Sequence, residues 1–149
     1  MSRVLVGLSF VLLTLAGCGG GDGGTGPDDP FPDVSGAYNV DGGFDGTTRS
    51  EAGLTGSLTL TQASRQSGTL GGTATLTLTV QGEVSTISDV AVTEASVTPA
   101  GVVSFRIGSS AQGATWVFSG TRVGATISGR HTLTTQDARV SGDWTATKP

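Results

Sequence analysis

The side chains able to do chemistry are few. His131 is the sole histidine, so any general base or imidazole ligand would have to be this residue. Asp137 and Asp143 stand near it in sequence and serines are plentiful, which supplies the ingredients of a Ser-His-Asp hydrolase. No Gly-x-Ser-x-Gly elbow occurs to present a nucleophile, however. Zinc has no support either, because neither His-x-His, HExxH nor a Cys-His spacing accompanies the histidine. Two-carboxylate glycoside chemistry would have to draw on Asp41, Asp45, Glu51, Glu83, Asp89 or Glu94, which fall mostly in loops and turns where solvated acids belong. What remains is an aromatic set. Tyr38, Trp116 and Trp144, with His131, could line a cavity for a small apolar or sugar-like ligand, or could fill a core. No catalytic residue, metal or cofactor is assigned.

Cys18 is the only cysteine and so has no disulfide partner in the chain. The residues before it are built for export: Ser2 and Arg3 give a basic start, residues 4–16 a mostly apolar core, and Ala16-Gly17 the small side chains ahead of a cleavage point. The apolar run falls short of the about 20 residues that a transmembrane helix needs, so removal is expected. Leu15-Ala16-Gly17-Cys18 resembles the lipobox of bacterial lipoprotein precursors. That resemblance implies cleavage before Cys18, a diacylglyceryl thioether on its sulfur and an acyl chain such as palmitate on the new amino group. Several acyl chains together make a stable anchor where one alone is marginal. The implied location is the bacterial cell envelope, and Gly19 in place of Asp after the cysteine implies the outer membrane if the host is Gram-negative.

After the anchor the chain reads as a spacer. Residues 19–26 are mostly glycine and flexible, and residues 27–33 are stiffened by Pro27, Pro30 and Pro32. Square-root scaling of such a coil holds a domain about 20 Å from the membrane on average. Asp22, Asp28, Asp29 and Asp33 have the oxygen chemistry of a calcium site but lack the closing bidentate Glu, so a solvated acidic tether is expected. The organisation is therefore a signal over 1–17, a lipidated cysteine and tether over 18–33, and one folded domain over 34–149.

Charge narrows the partners of that domain. The 149-residue chain carries −4, which becomes −5 once Arg3 leaves with the signal, and setting aside the four tether aspartates brings the folded part near −1. A nearly neutral domain has no footprint for phosphates, so nucleic acid is not an expected partner.

Period-two alternation governs everything that must position the aromatic set. A first strand over 35–41 ends in Asp41-Gly42-Gly43, and residues 44–53 read as a loop. Leu58 and Leu60 alternate with Ser and Thr over 56–62. Over 69–80, Leu70, Gly72, Ala74, Leu76, Leu78 and Val80 share one face against threonines. Residues 87–98 carry Val90, Val92, Ala95 and Val97, and the slip in parity after Val92 predicts a bulge near Glu94. Beyond the Pro99-Ala100-Gly101 turn come Val103, Phe105 and Ile107, then a loop over 108–113. Ala114, Trp116, Phe118 and Gly120 follow, next Ile127, Gly129, His131 and Leu133, and last Val140, Gly142, Trp144 and Ala146.

The expectation is an all-β domain of about eight antiparallel strands, closed as an up-and-down barrel, with a two-sheet sandwich as the alternative. A signal helix and a disordered linker precede it. Gly36-Ala37-Tyr38 is similar to the Gly-x-Trp opening of lipocalin-like and avidin-like barrels, with Tyr for Trp, and Gly142-Asp143-Trp144 closes the chain in the same style. Functionally, the expectation is a membrane-anchored envelope lipoprotein with a non-catalytic binding or interaction domain. A carrier of a small apolar ligand, with Tyr38, Trp116, His131 and Trp144 as lining, is the second reading, and an enzyme with a loop-borne site the third.

Overall fold

A computed structural model describes residues 30–109 and 113–149. Cys18, the lipobox and the tether up to residue 29 lie outside the described residues. Eight strands follow one another: β1 (Gly36–Gly43), β2 (Ala52–Thr61), β3 (Thr69–Val80), β4 (Glu83–Val97), β5 (Val102–Ser109), β6 (Ala114–Val123), β7 (Thr126–Thr135) and β8 (Arg139–Thr147). Each pairs antiparallel with the next, and β8 returns to β1, so the sheet closes as an up-and-down barrel. The sandwich alternative is thereby set aside. Closure removes both sheet edges, which otherwise invite pairing with another chain.

Two strands start earlier than alternation indicates. β2 begins at Ala52 rather than at residue 56, because Ala52 and Leu54 both point inward while Gly53 between them hides the period. β4 begins at Glu83 rather than at residue 87. Its first turns, Glu83 to Thr86, are exposed on both faces and carry no hydrophobic period to read. The expected bulge at Glu94 is present: the β4–β5 register shifts between Thr93 and Ser96, and Glu94 takes a φ of 47°. A second bulge sits at Asp89, with a φ of 51° and a shift against β3, so β4 bends twice around the barrel.

The inward residues of all eight strands form one core. In its middle layer Val40, Leu58, Leu76, Phe105, Ile107, Phe118 and Trp144 meet with no room for a water molecule. Phe105 stacks on Phe118 at 4.9 Å between centroids, and Trp144 stands edge-on to both at 5.6 and 5.2 Å. Such offset and edge contacts are the arrangements that aromatic quadrupoles favour.

One end of the barrel is sealed by the chain that leads into β1. Val34 is fully buried beneath it, and its carbonyl accepts the Tyr38 hydroxyl at 2.7 Å. Phe31 packs on the same core, and its backbone N–H donates to the Arg65 carbonyl at 3.2 Å. Part of the segment read as the tether's end is thus a plug. All eight strand pairings, including the β8–β1 pairing that closes the barrel, lie within residues 36–147.

Candidate functional site

The opposite end of the barrel has no plug among the described residues. There, Leu76, Leu78, Ile87, Ile107, Trp116 and Leu133 surround a cavity of about 320 Å³ that reaches the surface beside Ser85, Gly108, Ala114 and Thr135. Its walls are β3 to β7 where these run beyond the packed middle layer. An adjoining groove of about 410 Å³ shares Leu78 and Leu133 with it and continues past Val80 and Val140 to Phe44, Asp45, Thr47, Arg139 and Ser141. Cavity and groove together make an apolar mouth with polar atoms gathered along one side. A concave apolar site with few polar groups, of about 300 to 1,000 Å³, is the usual form of a small-molecule pocket.

The polar side is built by the segment joining β1 to β2, which crosses the start of β8 as a strap. It can lie this close because residue 142 is glycine: a Cβ there would collide with the Gly43 carbonyl and the Phe44 backbone. Four contacts then hold it. His131 donates from Nε2 to the Gly43 carbonyl at 2.9 Å, and its ring meets Phe44 edge-on at 4.9 Å. The Asp45 N–H donates to the Ser141 carbonyl at 2.8 Å. Arg130 reaches out from β7 to bridge the Asp45 carboxylate and that of Asp143, the latter at 2.9 Å.

Electrostatics follow from these partners. Hydrogen bonds from Arg130 hold the Asp45 carboxyl below the usual carboxylate range, and both acids raise the guanidinium in return. Burial pushes His131 below an ordinary histidine. It is 1% exposed, and its Nδ1 has no hydrogen-bond partner among the described residues. No serine hydroxyl or carboxylate among the described residues hydrogen-bonds either ring nitrogen. Among the described residues no three His, Cys, Asp or Glu side chains come together as a metal site, and no helix is long and apolar enough to cross a membrane.

The four aromatic and imidazole candidates separate by depth. Trp116 lines the cavity, and its indole N–H has no partner among the described residues. His131 lies below the strap, 5.6 Å from Phe118 between ring centroids. Trp144 is in the packed middle, its Nε1 donating to the Ser119 carbonyl at 3.1 Å, and Tyr38 is at the sealed end, under the Lys148 ammonium. The Tyr38 hydroxyl is pushed above its ordinary pKa by burial. Sequence pattern alone does not reveal Phe44, Asp45 and Arg139, which sit in or beside loops and reach the mouth only through barrel closure.

The fold defines a class, a closed eight-stranded antiparallel barrel, plugged at one end and without a plug among the described residues at the other. No family model matches the chain, and no curated protein does. It is similar in structure to the solved EF1p2_mFAP2b bound to DFHBI, with a TM-score of 0.57 at 13% identity over 78% of this chain and 94% of that one. At that identity the likeness is one of fold.

Proposed function

We propose that this chain is a membrane-anchored envelope lipoprotein whose barrel is a non-catalytic binding module for a small apolar ligand. The observation that carries the reading is the mouth: an open apolar cavity of about 320 Å³ at one end of a barrel whose middle is fully packed. Exposed apolar concavities on a small domain mark binding sites more often than accident. The structural neighbour holds the small ligand DFHBI, which supports a barrel of this kind accepting one. His131 is engaged in bracing the strap, which favours binding over catalysis. Anchoring rests on the lipobox. The described chain enters the barrel at its sealed end, opposite the mouth.

The two halves of the proposal have separate tests. Residues 30–149, titrated with the neutral apolar dye Nile red, should show saturable one-to-one emission that Leu133→Trp abolishes while the β-sheet circular dichroism persists. A dye response that survives Leu133→Trp would move the site out of the mouth. For the anchor, Cys18→Ala in the producing cell should lose both the acyl mass and membrane association, and a variant still membrane-bound would end that account.

A further inference from the structure

We infer that the ligand is an anionic amphiphile, an acyl-type chain ending in a carboxylate, with its chain in the mouth and its charge on Arg139. This rests on the mouth being a ligand site and adds the chemical class. The apolar wall is continuous, since cavity and groove share Leu78 and Leu133, and runs from Trp116 to Val140 at the rim. An elongated apolar body fits such a wall, and its outer end then arrives at the strap side of the groove.

The polar groups waiting there are Asp45, Thr47, Arg139 and Ser141. Three are already engaged. Asp45 is bound by Arg130, the Thr47 hydroxyl donates to the Phe44 carbonyl at 2.9 Å, and the Ser141 hydroxyl shares a 2.9 Å hydrogen bond with that of Thr132. Arg139 is exposed, and its side chain has no ion pair or hydrogen bond among the described residues. The nearby acids do not claim it: Asp45 and Asp143 both pair with Arg130, and Asp137 in the β7–β8 turn makes no ion pair with it. The free group at the groove is therefore a cation whose planar fork of donors matches a carboxylate. A cationic headgroup would find a single acid lining the groove, Asp45, which Arg130 already binds.

The test compares three probes of equal chain length on residues 30–149: decanoate, decanol and decyltrimethylammonium, each kept below its aggregation concentration. Decanoate should bind tightest, and Arg139→Gln should weaken it about fivefold, the scale of an exposed ion pair, while leaving decanol unchanged. Added salt should weaken decanoate alone. Equal affinities for decanoate and decanol, insensitive to Arg139→Gln, would overturn the assignment of the charge and leave the apolar site standing. Tighter binding of decyltrimethylammonium would overturn it by reversing the sign. If none of the three binds, the site itself fails along with its ligand class.

Discussion

The two ends of the barrel are built from the same alternating strands and differ in what lies over them. At the sealed end, Val34 and Phe31 fold back beneath the strands and pack against the core. At the mouth the strands continue past the last packed layer with nothing comparable on top among the described residues. Val80 and Val140 share the inward parity of their strands, yet each is 42% exposed. Parity fixes which side of a sheet a residue faces, whereas burial depends on whether another layer covers it. The same sequence pattern therefore lies covered by a plug at one end and partly exposed at the other.

The largest expected difference between the two regions is energetic. Trp144→Ala removes the side chain around which Phe105 and Phe118 are arranged, together with its hydrogen bond to Ser119. A loss of about 3 to 5 kcal/mol is expected, the range for aromatic-to-alanine changes in a packed core. Leu133→Ala at the half-buried mouth should cost less than about 2 kcal/mol, because solvent already reaches the site and no closed cavity is created. Urea denaturation followed by circular dichroism measures both. Equal losses would mean that the mouth is packed as tightly as the middle.

A smaller and more selective difference comes from pH. Burial lowers the pKa of His131 from the ordinary 6.5, Arg130 lowers it further, and the Gly43 hydrogen bond with Asp45 and Asp143 opposes them without cancelling the shift. A depressed histidine favours the neutral form in the folded state. Its contribution to stability is complete above pH 6.5 and declines as the pH falls from there through the lower folded value. Protonation would place a second N–H on Nδ1, which has no acceptor among the described residues and lies between Phe44 and Phe118. Wild type should therefore lose stability over this window, and His131→Phe should be flat across it until the carboxylates held low by their partners, Asp33, Asp45 and Glu51, begin to protonate at more acid pH. A wild-type profile as flat as that of His131→Phe would remove the imidazole from the strap's support.

How much of this was legible beforehand depends on how local the cause is. Period-two alternation from Leu58 to Ala146 reveals the strands, and the slip between Val92 and Ala95 reveals the bulge at Glu94, since both are properties of neighbouring residues. The bulge at Asp89 leaves a similar trace, a slip between Ile87 and Val90, but Ile87 directly follows the stretch from Glu83 to Thr86 that is exposed on both faces, and the trace is faint. His131 is placed on the inner face by its company with Ile127 and Leu133, and it is buried there. Its partner Gly43 lies 88 residues away, however, and no local pattern announces the pairing. The plug formed by Phe31 and Val34 is hidden for the same reason, because a proline-rich stretch reads as spacer until a barrel exists for it to close.

The smallest effect isolates the strap from the barrel beneath it. Arg130 and its two acids are all more than half exposed, with side-chain accessibilities of 53%, 56% and 75% for Arg130, Asp45 and Asp143. Ion pairs so exposed are screened by solvent and salt, and their removal seldom moves a global unfolding midpoint. The hydrogen bond from the Asp45 N–H to the Ser141 carbonyl has a different dependence, because it opens whenever the strap lifts, without any strand unpairing. Arg130→Gln should therefore leave the urea midpoint within error of wild type while the Asp45 amide exchanges its hydrogen faster, and amides in the middle of β6 and β7 keep their protection. High salt should reproduce the faster exchange in wild type and add nothing to the variant. If Asp45 exchange were unchanged by both, the strap would be held by Phe44 and the Gly43 carbonyl alone, and the charged cluster would play no part in shaping the groove.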